Sequence, residues 1–588
     1  MALLPFGGLT AEAANPTDSA ETAFVDSLLA RMTLEEKLGQ LNQPPGIGND
    51  TGPKAKAAGT DQVRKGQVGS FLGMQGVKLT CDMQRIAVKE SRLGIPLLFG
   101  FDVIHGYRTV FPVPLGEAAS FNPVAVENTA RIAAVEATAH GIHWTYAPMV
   151  DVARDPRWGR VVEGAGEDTY LGEVLAAARV RGFQGKDLRA ADSVLATAKH
   201  FVAYGGAEAG RDYNTVDISE RTLREVYLPP FKAAVDAGAG SVMASFNEIA
   251  GVPMHANGPL INGVLRGEWG FDGVLVSDYT GVMELMHHGI AANATEAGTR
   301  ALDAGVDIDM VSEIYRKDMP KAVRAGKVSE ATVDESVRRV LRAKYRLGLF
   351  DNPYRNCDEA LEKSQTLTAA NREAARAMAR ESMVLLKNKG AVLPLSKQVR
   401  TLAVIGPLAD NPRVMLGSWA GMGRPEDVVT PLAGIRAAVG PDTKVLYARG
   451  ADINTADTTG IAEAVRIAGE ADAVLLMLGE ADDMSGEANN RTTLDLPGVQ
   501  EQLALAVQKT GKPVAAVLFN GRPLSVDSLQ QQVPAILEAW FPGVEGGHAL
   551  ADVLFGDYNP AGRLPVTFYR DTTDLPAFDN YNMAGRTY

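Results

Sequence analysis

The sequence predicts an α/β protein in which a (β/α)8 TIM-like barrel is followed by an α/β sandwich domain. Three observations support this prediction. The chain has 588 residues, which is too long for one ordinary hydrophobic core, so two or three domains are expected. Short apolar strands alternate with helical runs along the first part of the chain, and a second such series follows after a break. Alternating strands and helices imply parallel strands joined by right-handed crossovers.

The first series contains enough units to close a barrel. It begins with a capping box, Thr33-Leu-Glu-Glu36, which opens an amphipathic helix that runs through Leu41. Strands are predicted at 68–72, 96–101, 144–150, 193–198, 241–245, 273–276 and 306–310. Helical runs are predicted at 124–140, 173–184 and 223–237. Seven or eight such units fit a (β/α)8 barrel whose first unit is irregular.

The second series gives the sandwich domain. Residues 351–367 contain Asn-Pro-Tyr and several charges and are predicted as a linker, after which helices at 368–387 lead into the new unit. Its strands are predicted at 401–405, 444–447, 473–478, 514–518 and 535–540. The predicted division of the chain is a flexible arm or signal remnant at 1–20, the barrel at 21–350, the linker at 351–375 and the sandwich domain at 376–588.

Composition excludes some classes of partner. A formal net charge of −13, with no basic block, argues against nucleic acid. No apolar run reaches the length of about 18 residues that a membrane span needs. Cys81 and Cys357 are expected to be structural thiols, because a disulfide framework or a zinc site needs more cysteines. Residues 1–14 resemble the tail of a secretory signal but lack its positive start, so an exported protein and a disordered arm are both open.

Polar residues recur where the predicted barrel strands end. Such residues follow five strands: Asp102, Asp151, Lys199 with His200, Asn247 and Asp278. Asp278 could instead cap the helical run at 282–286, since Asp is a favoured N-cap. However, barrels build active sites from the carboxyl ends of several strands, and five strands that end in this way favour a functional Asp278. Arg157 and Arg160 follow Asp151 closely and belong to the same predicted face.

A loop of the second domain can supply another carboxyl group. It follows the strand at 473–478 and carries Glu480, Asp482, Asp483 and Glu487, with Arg491 nearby. If this loop covers the barrel mouth, two carboxyl groups flank a neutral, polar ligand, which is what glycoside hydrolysis requires. We expect Asp278 to stay ionised beside Lys199 and His200, and the pKa of the loop glutamate to be raised by partial desolvation.

Several motifs together resemble glycoside hydrolase family 3, and most closely its exported bacterial β-glucosidases. They are Phe101-Asp-Val-Ile-His-Gly106, Asp155-Pro-Arg-Trp-Gly-Arg160, Gly166-Glu-Asp168, Lys199-His-Phe201, Asp212-Tyr-Asn-Thr-Val-Asp-Ile-Ser219, Trp269-Gly-Phe-Asp-Gly-Val-Leu-Val-Ser-Asp278, Gly406-Pro-Leu-Ala-Asp410 and Gly417-Ser-Trp419. The resemblance covers the chain from about residue 20 to its end.

The resemblance implies a role for each candidate residue. Asp278 would be the nucleophile that forms a covalent glycosyl-enzyme with retention at the anomeric carbon. The groups that would bind the sugar hydroxyls are Asp102, Arg160, Lys199 and His200. Met243 would pack on the apolar edge of the sugar ring, although a core methionine is an equal alternative. The acid/base would be Glu487, with Glu480 as the alternative.

This sequence departs from many family members at three points. Phe246 replaces a frequent tyrosine, and Tyr279 stands where a tryptophan often follows the nucleophile. The second change would alter the platform on which the leaving-group sugar stacks. No stretch before Tyr588 has the pattern of the fibronectin-like β-domain of close relatives, so we expect that domain to be absent or to have been cut away.

Together these observations predict a retaining, exo-acting β-glucosidase that acts on β-glucosides and short β-linked gluco-oligosaccharides. The alternatives are a β-xylosidase or broad-specificity β-glycosidase of the same family, and a carbohydrate-binding relative that has lost catalysis. The mechanism requires no cofactor or metal. We further expect a periplasmic or secreted protein, a monomer or homodimer, with no nucleic-acid or membrane partner.

Overall fold

The computed structural model describes residues 16–47 and 57–575. Most of the predicted arm at 1–20 therefore lies outside the described residues, and residues 16–20 already belong to the helix Pro16–Leu29. The helix Leu34–Gln40 begins with the predicted capping box, in which Thr33 and Glu36 exchange hydrogen bonds.

Within the described residues, eight parallel strands form the barrel. They are β1 (Asn42–Gln43), β2 (Ser70–Leu72), β3 (Leu98–Phe101), β4 (Trp144–Thr145), β5 (Thr197–Phe201), β6 (Ser241–Ala244), β7 (Val274–Val276) and β8 (Asp309–Met310). Ladders join β2 to β3 to β4, and β5 to β6 to β7. Parallel bridges complete the ring next to β1 and β2, next to β4 and β5 (Trp144 with Leu195 and Met149 with Lys199), and next to β7 and β8. The ring closes because Asn42 pairs with Asp309 and Gln43 with Met310. The predicted barrel is thus confirmed.

Among the barrel strands, β1 is the one that was not predicted from the sequence. Both of its side chains are polar and fully buried, so the segment shows no apolar run. The Asn42 side chain donates to the Gln67 carbonyl at 2.9 Å, and the Gln43 side chain donates to the Ser70 hydroxyl at 3.0 Å. A strand whose interior contacts are hydrogen bonds has no hydrophobic periodicity to reveal it.

Helices cover the barrel between successive strands. They are Thr60–Arg64, Val77–Glu90, Pro123–Ala139, Thr169–Gln184, Pro229–Asp236, Ala294–Ala304 and Glu330–Arg346, together with the π-helical segment Pro259–Glu268. The run predicted at 223–237 is divided into a π-helical turn, Leu223–Tyr227, and the helix Pro229–Asp236. The division falls at Pro229 and Pro230, which have no amide hydrogen to continue the helical hydrogen bonds.

Shorter helices occupy the loops of the barrel. They are Pro114–Ala119, Glu220–Thr222, Gly281–Glu284, Ile314–Lys317 and Met319–Arg324.

Some barrel strands differ in extent from the strands that the sequence predicted. The strand at 144–150 is reduced to Trp144–Thr145, and the strand at 193–198 is shifted to Thr197–Phe201. Lys199 and His200 therefore lie within β5 and not after it.

The second domain is built on one six-stranded sheet among the described residues. Its strands are β9 (Val384–Asn388), β10 (Thr401–Ile405), β11 (Lys444–Ala448), β12 (Ala473–Gly479), β13 (Val514–Phe519) and β14 (Ala535–Glu538). Their order across the sheet is β9, β14, β13, β12, β10, β11, and only β9 is antiparallel to its neighbour. The prediction that helix continues to residue 387 was wrong, because the helix Ala369–Ser382 ends earlier and is followed by β9.

Both faces of this sheet are covered, which makes the domain a sandwich. Leu475 and Met477 face one hydrophobic core, whereas Leu476 and Leu478 face another. The covering helices are Pro412–Leu416, Pro431–Ala438, Ile461–Glu470, Gln500–Gln508, Asp527–Gln532 and Gly546–Leu554. The stretch predicted as a linker at 351–375 contains the helix Glu359–Gln365 and the start of Ala369–Ser382.

The cysteines are not free thiols, so that expectation was wrong. Cys81, on the helix Val77–Glu90, forms a disulfide with Cys357, which follows the last barrel helix. The two residues are 276 positions apart, and only the fold brings their Cα atoms to 5.7 Å. The bond fastens the segment that leads into the second domain to the side of the barrel.

Among residues 16–47 and 57–575, no helix combines the length and the apolar character needed to cross a membrane.

Breaking the disulfide is expected to destabilise the protein. A Cys81→Ser/Cys357→Ser variant should lose about 2–4 kcal/mol of unfolding free energy, because the cross-link restricts the unfolded chain. Thermal unfolding with and without reductant measures this loss. Reductant should lower the Tm of the parent protein and leave that of the double variant unchanged. An equal response of both proteins, or two titratable thiols in the denatured, unreduced parent, would contradict the assignment.

Candidate active site

A cavity of about 430 Å³ opens at the carboxyl end of the barrel strands. It brings together the seven residues predicted as catalytic or sugar-binding groups. These residues are Asp102, Arg160, Lys199, His200, Met243, Asp278 and Glu487. Phe246 and Tyr279 line the same cavity. The second domain contributes Trp419 and Glu487, so the two domains share one site.

Asp278 lies two residues after the end of β7. One of its carboxylate oxygens accepts a hydrogen bond from the described residues, and the other does not. Its Oδ1 accepts the Tyr279 backbone N–H at 2.7 Å, and its own N–H donates to Nε2 of His255 at 3.0 Å. Its Oδ2 is buried, accepts no hydrogen bond from a described residue and lies 3.8 Å from His200 Nε2. The helix Gly281–Glu284 has Thr280 at its N-cap and no side-chain cap, so Asp278 does not cap it.

The ionisation of Asp278 differs from the expectation that it stays fully ionised. Burial, with the charge of Glu487, raises the pKa of Asp278 from 3.8 to about 8, while Arg160 and Lys199 act to lower it. Because the folded pKa is raised, the folded protein binds this proton more tightly than the unfolded chain does. The contribution of Asp278 to stability therefore falls as pH rises from about 4 to about 8.

His200 is held as a neutral ring with a defined tautomer. Its Nδ1 lies 2.9 Å from Asp151 Oδ2, and its Nε2 lies 2.9 Å from the Arg160 guanidinium. Arg160 can only donate, so Nε2 accepts and the ring proton is on Nδ1. Burial, with the charges of Arg160 and Lys199, lowers the pKa of His200 well below its usual value.

Lys199 and His200 line the same cavity although they are neighbours on a strand. The register between β5 and β6 shifts between Ala198 and Phe201. This register shift replaces the alternation of side chains that a regular strand would impose. Lys199 Nζ donates to Asp102 Oδ1 at 3.1 Å and lies 5.4 Å from the centre of the Trp419 ring.

Arg160 connects the barrel groups to the second domain. Its guanidinium makes a paired contact with Glu163, through Nε at 2.9 Å and Nη2 at 3.0 Å. Trp419 Nε1 donates to the same Glu163 carboxylate at 3.1 Å. Arg160 Nη1 lies 3.4 Å from Glu487 Oε1. One buried cation therefore contacts a barrel carboxylate, the His200 ring and the loop carboxylate.

The loop places Glu487 in the cavity and keeps Glu480 out of it. The Glu487 side chain is 28% exposed, whereas that of Glu480 is fully buried. Glu480 pairs with Arg491 at 2.8 Å and Arg522 at 3.0 Å, and it accepts the Gly521 N–H. A carboxylate with these partners is a structural counter-ion.

Arg522 holds this loop on the barrel. Its fully buried guanidinium donates to the Pro156 and Arg157 carbonyls of the barrel and to the Met484 and Asn489 carbonyls of the loop. Backbone contacts support it, since Gly486 N donates to Gly159 O at 2.6 Å and Arg491 N donates to Arg157 O at 3.1 Å. The loop is thus fixed on both sides of Glu487.

Some polar residues at strand ends do not line the cavity. Asp151 lies behind His200 as its hydrogen-bond partner, Arg157 forms an ion pair with Asp155, and Asn247 donates to the Val202 carbonyl. Tyr213 and Trp419 are among the cavity residues that were not predicted as site residues, although both belong to the quoted motifs. The Tyr213 hydroxyl donates to Glu487 Oε1 at 2.7 Å.

Comparisons with known proteins agree over both domains. Residues 33–343 match the glycosyl hydrolase family 3 N terminal domain, and residues 383–588 match the glycosyl hydrolase family 3 C-terminal domain. A periplasmic beta-glucosidase of Salmonella typhimurium is 44% identical, over 97% of this chain and 77% of the relative. A beta-xylosidase of Formosa agariphila is 40% identical, over 84% of this chain and 72% of the relative.

A solved structure shows the same architecture. The crystal structure of beta-glucosidase from Listeria innocua in complex with isofagomine superimposes with a TM-score of 0.90 at 41% identity, and covers 96% of this chain and 79% of that one. The same protein has been solved with glucose and, as a mutant, with laminaribiose. The motifs, the two matched domains and these relatives lead to one conclusion: the chain belongs to glycosyl hydrolase family 3.

Proposed function

We propose that this protein is a retaining, exo-acting β-glucosidase in which Asp278 is the nucleophile and Glu487 the acid/base. The observation that carries the proposal is the placement of two carboxyl groups on different walls of one cavity. Asp278 comes from a barrel strand and Glu487 from a loop of the second domain. The Salmonella and Listeria β-glucosidases described above support glucose as the sugar.

The first half of the reaction uses both carboxyl groups. Asp278 Oδ2, the oxygen that accepts no hydrogen bond from a described residue, attacks the anomeric carbon as the glycosidic C–O bond breaks. Glu487 gives its proton to the departing oxygen, which leaves as an alcohol. The products of this half are a glycosyl ester on Asp278 and an ionised Glu487.

In the second half, Glu487 takes a proton from water while the water oxygen attacks the anomeric carbon from the opposite side. The bond to Asp278 breaks, the carboxylate is restored, and the sugar leaves with its original configuration. Each carboxyl group ends in the state in which it began.

The remaining polar groups suit recognition of sugar hydroxyls. Asp102 with Lys199, and Arg160 with His200, present donors and acceptors that are already oriented by one another. Charged groups form stronger hydrogen bonds to hydroxyls than neutral groups do. Met243 and Met310 add apolar surface to the cavity, which suits the C–H face of a sugar ring.

A β-xylosidase is the second candidate, because the Formosa relative carries that name. The two sugars differ by the C6 hydroxymethyl group. We expect the purified protein to release nitrophenol from aryl β-D-glucoside with at least about tenfold higher kcat/KM than from aryl β-D-xyloside, since the lost contact is worth one or more hydrogen bonds. A preference for xyloside would show that the proposed substrate is wrong and would leave the proposed mechanism intact. Release from neither would overturn the proposed activity.

Glu487→Ala tests the acid/base against its alternative. We expect kcat/KM on substrates with poor leaving groups to fall about 10²- to 10⁴-fold, because proton donation is lost. Azide should restore turnover of an activated aryl glucoside and give β-glucosyl azide. The matched variant Glu480→Ala should instead lower the Tm, because Arg522 is left buried without its counter-ion. Azide rescue of Glu480→Ala, and none for Glu487→Ala, would reverse the assignment.

The pKa of Asp278 predicts the acidic side of the pH profile. The nucleophile must be ionised, and burial raises its pKa to about 8. Activity should therefore be lost as pH falls through a value well above 3.8, the usual pKa of an aspartate. The dependence of kcat/KM on pH measures this, since it reports the free enzyme. An acidic limb near pH 4 would contradict it.

We also propose export to the periplasm or the medium. The support is the Cys81–Cys357 disulfide, a bond that persists in oxidising compartments, and the relative named a periplasmic enzyme. Fractionation of the native host measures it, and activity confined to the cytoplasm would contradict it.

A further inference from the structure

Two consecutive barrel residues hold two consecutive loop residues across the domain boundary. The Tyr213 hydroxyl donates to Glu487 Oε1 at 2.7 Å. The neighbouring Asp212 accepts the backbone N–H of Ala488 on Oδ2 at 2.8 Å. One contact therefore fixes the carboxyl group and the other fixes the backbone that carries it.

Asp212 is itself held firmly on the barrel. Its Oδ1 accepts the Trp158 indole N–H at 2.9 Å and the Tyr213 backbone N–H at 3.2 Å, and only 9% of the residue is exposed. Trp158 is buried in a cluster with Met149, Tyr204 and Phe246. The Tyr213 ring makes an edge-to-face contact with Phe246, with 5.2 Å between the ring centres. Asp212 and Tyr213 are thus positioned by the barrel and not by the loop that they contact.

The backbone on both sides of the contact has an uncommon conformation. Tyr213 has φ of 63° and Ala488 has φ of 62°, in the left-handed region that disfavours residues with a Cβ. Each conformation is unfavourable, and surrounding contacts must offset its cost. One such residue lies on each side of this pair of hydrogen bonds, which indicates that the geometry of the contact is maintained for a purpose other than stability.

We propose that Tyr213 and Asp212 are positioning residues for Glu487, which select the oxygen that carries the proton in the glycosidase reaction. This inference rests on the proposed function. Tyr213 and Arg160 both contact Oε1, so the proton that passes to the leaving group is carried on Oε2. Burial and the charge of Glu487 raise the pKa of Tyr213, so its hydroxyl stays protonated and donates throughout.

The hydrogen bond from Tyr213 changes strength during the reaction. When Oε2–H gives its proton to the glycosidic oxygen, Glu487 becomes a carboxylate and the Tyr213 O–H donates to an ion. Charge-assisted hydrogen bonds are about twice as strong as neutral ones. Tyr213 thus stabilises the product of proton transfer more than the reactant, which favours cleavage of bonds to poor leaving groups. It should matter little when the leaving group departs without a proton.

Tyr213→Phe tests this role because it removes one hydroxyl and keeps the ring. We expect kcat/KM to fall about 10- to 100-fold on an alkyl β-glucoside or a β-linked glucose disaccharide, the value of a hydrogen bond to a charged group. On 2,4-dinitrophenyl β-glucoside the change should be less than about threefold. Tyr170→Phe is the matched control, since that tyrosine is 72% exposed and outside the cavity, and it should match the parent on both substrates.

A double-variant cycle shows whether Tyr213 acts through Glu487. In a Glu487→Ala background, Tyr213→Phe should cause no further loss, because the group that it positions is gone. Equal losses on both substrates, or the same loss in both backgrounds, would overturn the inference and leave Tyr213 a structural residue. If the parent hydrolyses no β-glycoside, the proposed function fails instead. If Tyr213→Phe has the activity of the parent on both substrates while azide restores turnover by Glu487→Ala, this inference alone is overturned and the proposed function stands.

Discussion

The architecture of the site depends on one buried cation. Arg522 is fully buried between the domains, and its donors are used on main-chain carbonyls of the barrel and of the loop that carries Glu487. A guanidinium in such a place requires a counter-ion, and Glu480 supplies it. The carboxylate that sequence reasoning kept as the alternative acid is therefore the group that allows Arg522 to stay charged. Together with the backbone hydrogen bonds between the loop and the barrel, this pair holds the two walls of the cavity in place.

The groups proposed to bind sugar are arranged as pairs before any ligand arrives. Lys199 is paired with Asp102, Arg160 with Glu163, and His200 with Asp151. Pairing offsets the free energy that burial costs each charge and fixes the direction of each donor. The Oδ2 atom of Asp278 is buried and accepts no hydrogen bond from the described residues. Burial, with the charge of Glu487, raises the pKa of this carboxyl group, and the same unbound oxygen is the one that we propose attacks the anomeric carbon.

Much of this arrangement could be predicted from the sequence, because its signals are local. An acidic residue at the end of a buried apolar strand revealed Asp278, and uninterrupted apolar runs revealed β12 and β13. The polar strand β1 had no such signal, and β9 was missed because a short apolar run after a helix can continue either as helix or as strand. Tyr213 and Trp419 act across the domain boundary, and the Cys81–Cys357 bond joins distant segments. Their contacts depend on how the domains pack, which no local pattern encodes.

The hydrogen bonds from Arg522 to main-chain carbonyls have a consequence for how sequences of the family can diverge. Main-chain carbonyls are present whatever the side chain, so substitutions at Met484, Asn489, Pro156 or Arg157 need not disturb the four hydrogen bonds. The side chains of the loop can therefore change by mutation while its main chain keeps the same position. The side chain that the loop brings to the cavity, Glu487, is thus encoded separately from the contacts that anchor the loop.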